Sequence, residues 1–264
     1  MARKLNIVFR PEGLAGRTRL GIPKPAVKAW QTTRVKLNDT NVVMVHGAGG
    51  GAWEWRRWES IFRRAGLRVI SRDLQPGVRG LAATSFDDYL DQTISWFSGI
   101  EGPVVMVGAS LGGLLALCAC GAVRPSALIL VNSVPPQGLP QASDETGNVI
   151  RWSESSFEDT ERAMPDCSVR SRVYAHARWR DESGSVVREA RCGRLVERPD
   201  CPVLVIAGEL DSDMPFSSSL RMQEWLGAEL YVCKGASHLG PLLGRSALGA
   251  AKYAVSWLES VGSG

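Results

Sequence analysis

Val104-Val105-Met106-Val107-Gly108-Ala109-Ser110-Leu111-Gly112-Gly113-Leu114-Leu115-Ala116-Leu117-Cys118-Ala119 places one serine between two apolar runs. An apolar run predicts a buried strand, a glycine-flanked serine predicts a sharp turn, and a second apolar run predicts a helix. Glycines on both sides let backbone pass where a Cβ would clash, so the serine can take a strained, exposed position at the apex. A hydroxyl lifted there, at the start of a helix, is placed to act as a nucleophile. Such glycine–serine spellings arise readily by chance, and the flanking strand and helix give this one its meaning.

Short β-branched runs alternate with helical stretches from residue 42 onward. Strands are expected at 42–45, 68–71, 104–107, 127–131, 203–207 and 229–233, and helices at 54–65, 86–98, 111–122, 216–226 and 246–259. Several strands are apolar throughout, as strands covered on both faces of a parallel sheet are. The alternation predicts a doubly wound α/β sheet, with ligands at the carboxyl ends of the strands. Leu5–Phe9 and Thr33–Leu37 read as two antiparallel edge strands. The alternation breaks from Val134 to Asp200, a charged segment opening on Pro135-Pro136-Gln137-Gly138. Helices are expected there at 155–163 and 171–180, with no clear strand, and Trp152, Phe157 and Trp179 argue for packing over disorder. Inserted after the sixth strand (counting the two edge strands), it reads as a lid over the site. Residues 1–133 and 201–264 form the core.

At 264 residues, 44% hydrophobic and 22% charged, the chain suits one soluble α/β domain with an insertion. No stretch reaches membrane-span length, and the N-terminus lacks the pattern of a secretory signal, so a cytoplasmic protein is expected. Six scattered cysteines show no CxxC pair and no metal-ligand spacing, which predicts neither a structural disulfide nor a metal site. The net charge of +4 is uneven: residues 1–40 sum to +7 and the rest to −3. A basic head without interleaved aromatics gives little support to nucleic-acid binding and reads either as a solvated face or as a surface for an acidic partner.

A serine nucleophile needs a base, and the base needs an orienting group. Of three histidines, His46, His176 and His238, only His238 follows the last strand in a glycine-bounded loop, Lys234-Gly235-Ala236-Ser237-His238-Leu239-Gly240. The strand before it runs into Gly208-Glu209-Leu210-Asp211-Ser212-Asp213. Asp211 is the first aspartate there and is preferred as the orienting carboxylate, with Asp213 and Glu209 as competitors.

The chain order Ser110, Asp211, His238 resembles the order of the α/β-hydrolase fold family over residues 40–260. His46-Gly47-Ala48-Gly49-Gly50 resembles that family's oxyanion loop, and its tryptophans Trp53 and Trp55 are locally similar to the small esterases that include methylesterases and hydroxynitrile lyases. The resemblance implies backbone N–H donors at Ala48 and Leu111, a structural role for His46, and no cofactor. Some members carry the acid one strand earlier, but Asn132 stands there and cannot bear the charge. Gly49 and Trp53 beside the loop, with Trp152 and Trp179 in the insertion, are the candidate substrate contacts. Trp53, Trp55 and Trp58 read equally well as packing for the first helix. Asp73 reads as a loop cap.

The expected activity is hydrolysis of a small-molecule ester or thioester, and the basic head allows an acyl carrier protein as partner. A ligand receptor, a lyase or a cofactor-free oxygenase on the same fold stays open. Gly47-Ala48-Gly49-Gly50-Gly51-Ala52, with Asp73 beyond the next strand, also fits the fingerprint of a dinucleotide-binding oxidoreductase. His46 and Trp53 sit awkwardly around glycines meant to cradle a pyrophosphate, and no tyrosine has a lysine four residues on.

Overall fold

The computed structural model describes residues 37–137 and 147–262. Six strands form one parallel sheet: β1 (Asn41–Val45), β2 (Arg68–Ser71), β3 (Val104–Ala109), β4 (Ala127–Val131), β7 (Val203–Gly208) and β8 (Glu229–Cys233), in the order β2-β1-β3-β4-β7-β8. Between β4 and β7 the chain makes a separate antiparallel pair, β5 (Val149–Ile150) with β6 (Glu182–Ser183). The helices are α1 (Arg56–Arg64), α2 (Phe86–Ser95), α3 (Leu111–Val123), α4 (Phe157–Ala163), α5 (Val169–His176), α6 (Gly184–Cys192), α7 (Phe216–Leu226), α8 (Gly240–Leu243) and α9 (Ala247–Val261).

Alternate side chains of the central strands supply the two faces of the core. Val42, Met44, Val105, Val107, Ile129 and Ile206 face α1 and α9, where Trp58, Phe62, Ala254 and Leu258 are buried. Val43 and Val45 face α2 and α3, while Met106, Leu128, Leu130 and Val205 meet Leu117, Met222 and Leu226 of α3 and α7. With both faces covered, the strand residues are apolar on both sides, which made them visible in the sequence.

The chain enters the sheet at β1, runs out to the edge at β2, then crosses back past β1 to β3. The direction of winding therefore reverses between β1 and β3, and the carboxyl ends of these two strands open a crevice. The loop from His46 and the turn at Ser110 both lie there, since Val45 pairs with Gly108 in register.

The structure differs from the sequence reading in several places. The segment between β4 and β7 does contain a strand pair, two residues on each side, too short to leave a period. It also carries α6, capped by the Ser183 hydroxyl on the Val186 N–H. The 246–259 helix is preceded by the separate turn α8, with Pro241 in its first turn. The edge strand expected at Leu5–Phe9 lies outside the described residues, and Thr33–Leu37 enters them only at Leu37, which opens a 3₁₀ turn. Among the described residues the insertion thus follows the fourth strand. No helix among them is long and apolar enough to cross a membrane.

Candidate active site

Ser110 stands between β3 and α3 with φ 51° and ψ −121°, a left-handed conformation that a non-glycine residue adopts only when its surroundings hold it there. Its N–H donates to the Val131 carbonyl at 3.0 Å, and its own carbonyl accepts from Val134 at 3.0 Å, so β4 fixes the turn. Close approach does the rest: a Cβ on Gly112 would stand 2.2 Å from the Val45 carbonyl oxygen, which only glycine avoids. The first turn of α3 rests against β1, and Gly47 lies directly over Ser110.

His238 and Asp211 meet. The His238 Nδ1–H donates to Asp211 Oδ2 at 2.8 Å, and the aspartate side chain is almost wholly buried. Its other oxygen accepts from the N–H groups of Asp213 at 2.9 Å and Met214 at 2.8 Å. Asp213 contributes its backbone to Asp211, while Glu209 turns away to the Gly235 N–H. Burial pulls the His238 pKa down, but the hydrogen bond and charge of Asp211 outweigh it, with smaller help from Asp213 and Glu54. The net direction is upward.

Ser110 and His238 both face one cavity of about 600 Å³. Gly47 and Ala48 close one side; Trp152, Thr160, Trp179 and Val187 of the inserted segment, with Met214 and Leu239, line others. Among the described residues, no hydrogen bond engages the N–H of Ala48 or of Leu111. A pocket of this size, walled by Trp152, Trp179, Val187, Met214 and Leu239 on its apolar side and by polar groups that include Asp159, Arg191, Asp213 and Arg221, suits a small organic ligand.

The loop carrying Ala48 is held from both sides. His46 is buried; its Nδ1–H donates to the Gly47 carbonyl at 2.7 Å and its Nε2 accepts from the Leu74 N–H at 2.9 Å. Burial pushes its pKa down to about 4, so it serves as a neutral strut. From the inserted segment, Glu182 Oε2 accepts from the Gly49 N–H at 3.1 Å, its Oε1 accepts from the Tyr89 hydroxyl at 2.8 Å, and the Arg180 N–H donates to the Gly49 carbonyl at 2.9 Å. Asp73 caps the Ala52 N–H at 2.7 Å and lies 3.7 Å from the Arg180 guanidinium.

The four candidate substrate contacts separate into two pairs. Trp152 and Trp179 line the cavity. Gly49 and Trp53 do not: Trp152 lies against Gly49, whose φ of +66° and lack of a Cβ make room for the indole, and Trp53 packs edge-on against Tyr174 and Trp179. Trp55 and Trp58 are core residues. His176 sits in the inserted segment, within 3.2 Å of the Thr160 hydroxyl. The glycines that fit a dinucleotide fingerprint are filled: Trp152 stands against Gly49 and the Glu54 carboxylate against Gly50, where a pyrophosphate would need bare backbone.

The sequence reading missed Glu54 and Glu182, the cavity lining by Thr160, Val187, Met214 and Leu239, and the role of Asn132, whose side chain bonds the His238 carbonyl and the Gly208 N–H. Only Glu54 left a signal, a carboxylate set between two tryptophans at the start of a helix.

Residues 42–248 match the model of the alpha/beta hydrolase family. Searching curated protein sequences gives no significant match. Among solved structures, polyneuridine aldehyde esterase is 19% identical, covers 84% of this chain and 98% of its own, and superposes with a TM-score of 0.61. A methylesterase from Arabidopsis is 20% identical, covering 83% and 99%, with a TM-score of 0.65. A T18A mutant of tomato methylketone synthase I is 14% identical, covering 83% and 98%, with a TM-score of 0.66. At these identities the likeness is one of fold, and it spans two esterases and a synthase. With four-fifths of its length matched by the family model and its six-stranded parallel sheet ordered β2-β1-β3-β4-β7-β8, the chain belongs to the alpha/beta hydrolase family.

Proposed function

We propose that the protein is a serine hydrolase that cleaves a carboxylic ester or thioester of a small molecule. The observation that carries this is the buried Asp211–His238 hydrogen bond, opening on the same cavity as a serine held at positive φ. His238 Nε2 takes the Ser110 proton as Oγ attacks the substrate carbonyl carbon. The carbonyl oxygen becomes an oxyanion bound by the N–H groups of Ala48 and Leu111. The tetrahedral intermediate collapses, His238 gives its proton to the departing alcohol or thiol, and an acyl-serine remains. Water then attacks the acyl carbon, losing its proton to His238, and Ser110 recovers that proton as the carboxylic acid leaves.

The segment 134–200 acts as a lid, since Trp152, Thr160, Trp179 and Val187 wall the cavity and Glu182 bolts the segment to the oxyanion loop. The expected place of action is the cytoplasm. Residues 1–40, net +7, suit an acidic carrier of the acyl group, although Arg17 and Arg19 lie outside the described residues. Reversing the charge of both should raise KM for a carrier-linked thioester and leave KM for a free ester unchanged.

Assaying p-nitrophenyl esters and acyl thioesters of graded chain length, with Ser110→Ala as control, tests the proposal. Turnover that vanishes in the control supports it. A folded protein with no Ser110-dependent turnover on any of them contradicts it.

A further inference from the structure

Glu54 is a carboxyl group in an unusual place. It is 2% exposed, it follows Trp53 in the turn that leads into α1, and it reaches back beneath the loop that begins at Gly47. Its Oε2 accepts from the Gly47 N–H at 3.3 Å, and Oε1 lies against Gly50. Glu54 lines the cavity together with Gly47, Ala48, Ser110 and His238. Among the described residues no cation pairs with it.

A buried carboxylate without a cation is costly, and the usual outcome is retention of the proton. Burial pushes the Glu54 pKa up to about 8, against a smaller downward pull from the Gly47 N–H and from His238, while Asp73 pushes it up. His238, from the loop after β8, and Asp73, from the loop after β2, act on its charge; Asp159 and Arg191 from the inserted segment and Asp213 and Arg221 from the region after β7 line the same cavity. His46 is neutral, Arg180 is engaged with Asp73 and the Leu74 carbonyl, and His238 is the catalytic-loop group whose charge couples with that of Glu54 in both directions.

We infer that Glu54 is a positioning residue of the oxyanion loop that supports acyl transfer only as the neutral acid, so that its ionisation switches the site off. This rests on the acyl-transfer reading of Ser110. As an acid it holds the Gly47 N–H without adding charge to the cavity. As a carboxylate it places a negative charge in the wall beside the developing oxyanion, where low polarity makes repulsion strong. The same charge stabilises His238 as imidazolium, which removes the base. Both consequences act in one direction.

The test is the second-order rate of fluorophosphonate reaction at Ser110, followed from pH 6 to 10 in the wild type, Glu54→Gln and Glu54→Ala, with intrinsic probe hydrolysis subtracted. Glutamine keeps the shape and an acceptor for Gly47 but cannot ionise. The wild-type rate should fall about tenfold between pH 7 and pH 9, as expected for a group titrating near 8. The ratio of the two rates in Glu54→Gln should be one or greater. Glu54→Ala, which leaves Gly47 without its acceptor, should react more slowly than Glu54→Gln at every pH.

A Glu54→Gln profile that follows the wild type overturns the role of Glu54 while leaving the hydrolase reading intact. A wild-type rate that does not fall above pH 8 does so as well, and needs no variant to fold. Absence of any reaction at Ser110 overturns both together.

Discussion

The Asn132 side chain joins the ends of two strands to the loop that presents His238. Its Nδ2–H donates to the His238 carbonyl at 2.6 Å, and its Oδ1 accepts from the Gly208 N–H at 2.7 Å. Asn132 is buried and holds φ at 42°, a conformation asparagine tolerates better than most residues. It fixes the strand end that leads to Asp211 and the loop that carries His238 to one another. Removing it should loosen both at once.

Asn132→Ala is therefore expected to lower kcat about ten- to a hundredfold with a small change in KM. Buried groups at His238 and Gly208 lose their partners, so stability should drop by about 1–3 kcal/mol. Steady-state kinetics beside a urea titration separate the two effects. A variant of reduced stability with wild-type kcat would confine Asn132 to folding.

Asp211→Asn should cost roughly ten-thousand-fold in kcat, because an amide can hold the imidazole in the wrong tautomer. Asp213→Asn should cost less than about tenfold, since Asp213 supplies only its backbone N–H to Asp211. The opposite ranking would make Asp213 the orienting carboxylate.

Glu182 lies 133 residues from Gly49 in sequence, yet its carboxylate holds the Gly49 N–H and accepts from Tyr89. Burial first, then the charge and hydrogen bond of Glu182, raise the Tyr89 pKa, so the phenol remains a donor throughout the physiological range. Glu182→Ala should lower kcat by one to two orders of magnitude through the Ala48 N–H, while turnover in Glu182→Gln should recover part of that loss. Equal losses in the two variants would argue against an effect through hydrogen bonding.

Stability should also carry the mark of Glu54. Its folded pKa of about 8 lies above the ordinary value of 4.5, so its contribution is complete below pH 4.5 and is lost as pH rises towards 8. The loss is of order a few kcal/mol. Between pH 5 and pH 9, Tm should fall further in the wild type than in Glu54→Gln. Parallel declines would mean that the carboxyl is not confined in the folded state.

Rates should fall on the acid side as well. Asp211 raises the His238 pKa above 6.5, so the neutral base is lost as pH drops through that raised value. The acid limb should move to lower pH in Asp211→Asn, where the charge that favours imidazolium is gone.

The sequence showed the sheet well because its strands are buried on two faces and appear as unbroken apolar runs, as in Val42–Val45 and Ala127–Val131. Ser110, Asp211 and His238 stood out as candidates because each follows a strand in a stretch punctuated by glycine, and the structure brings Asp211 and His238 into contact. The roles of Asn132 and Glu182 were hidden because their partners lie 105–106 and 133 residues away, and no local period encodes such distances. Glu54 reaches only to Gly47, and its one signal was a carboxylate set between Trp53 and Trp55. Asn132 entered the sequence reading only as a reason to place the acid elsewhere. Helix α6 was missed because its apolar face, Val186, Val187 and Ala190, spans little more than one turn behind Gly184 and Ser185, and its packing against α2 and α3 decides it.

Fluorophosphonate labelling of the purified protein at neutral pH, with the adduct located by peptide mass spectrometry, reads out directly whether Ser110 is activated by His238. An activated serine predicts one adduct per chain at Ser110 and its loss in His238→Ala. A folded protein that takes no label at Ser110, or one whose labelling is unchanged by His238→Ala, would contradict it.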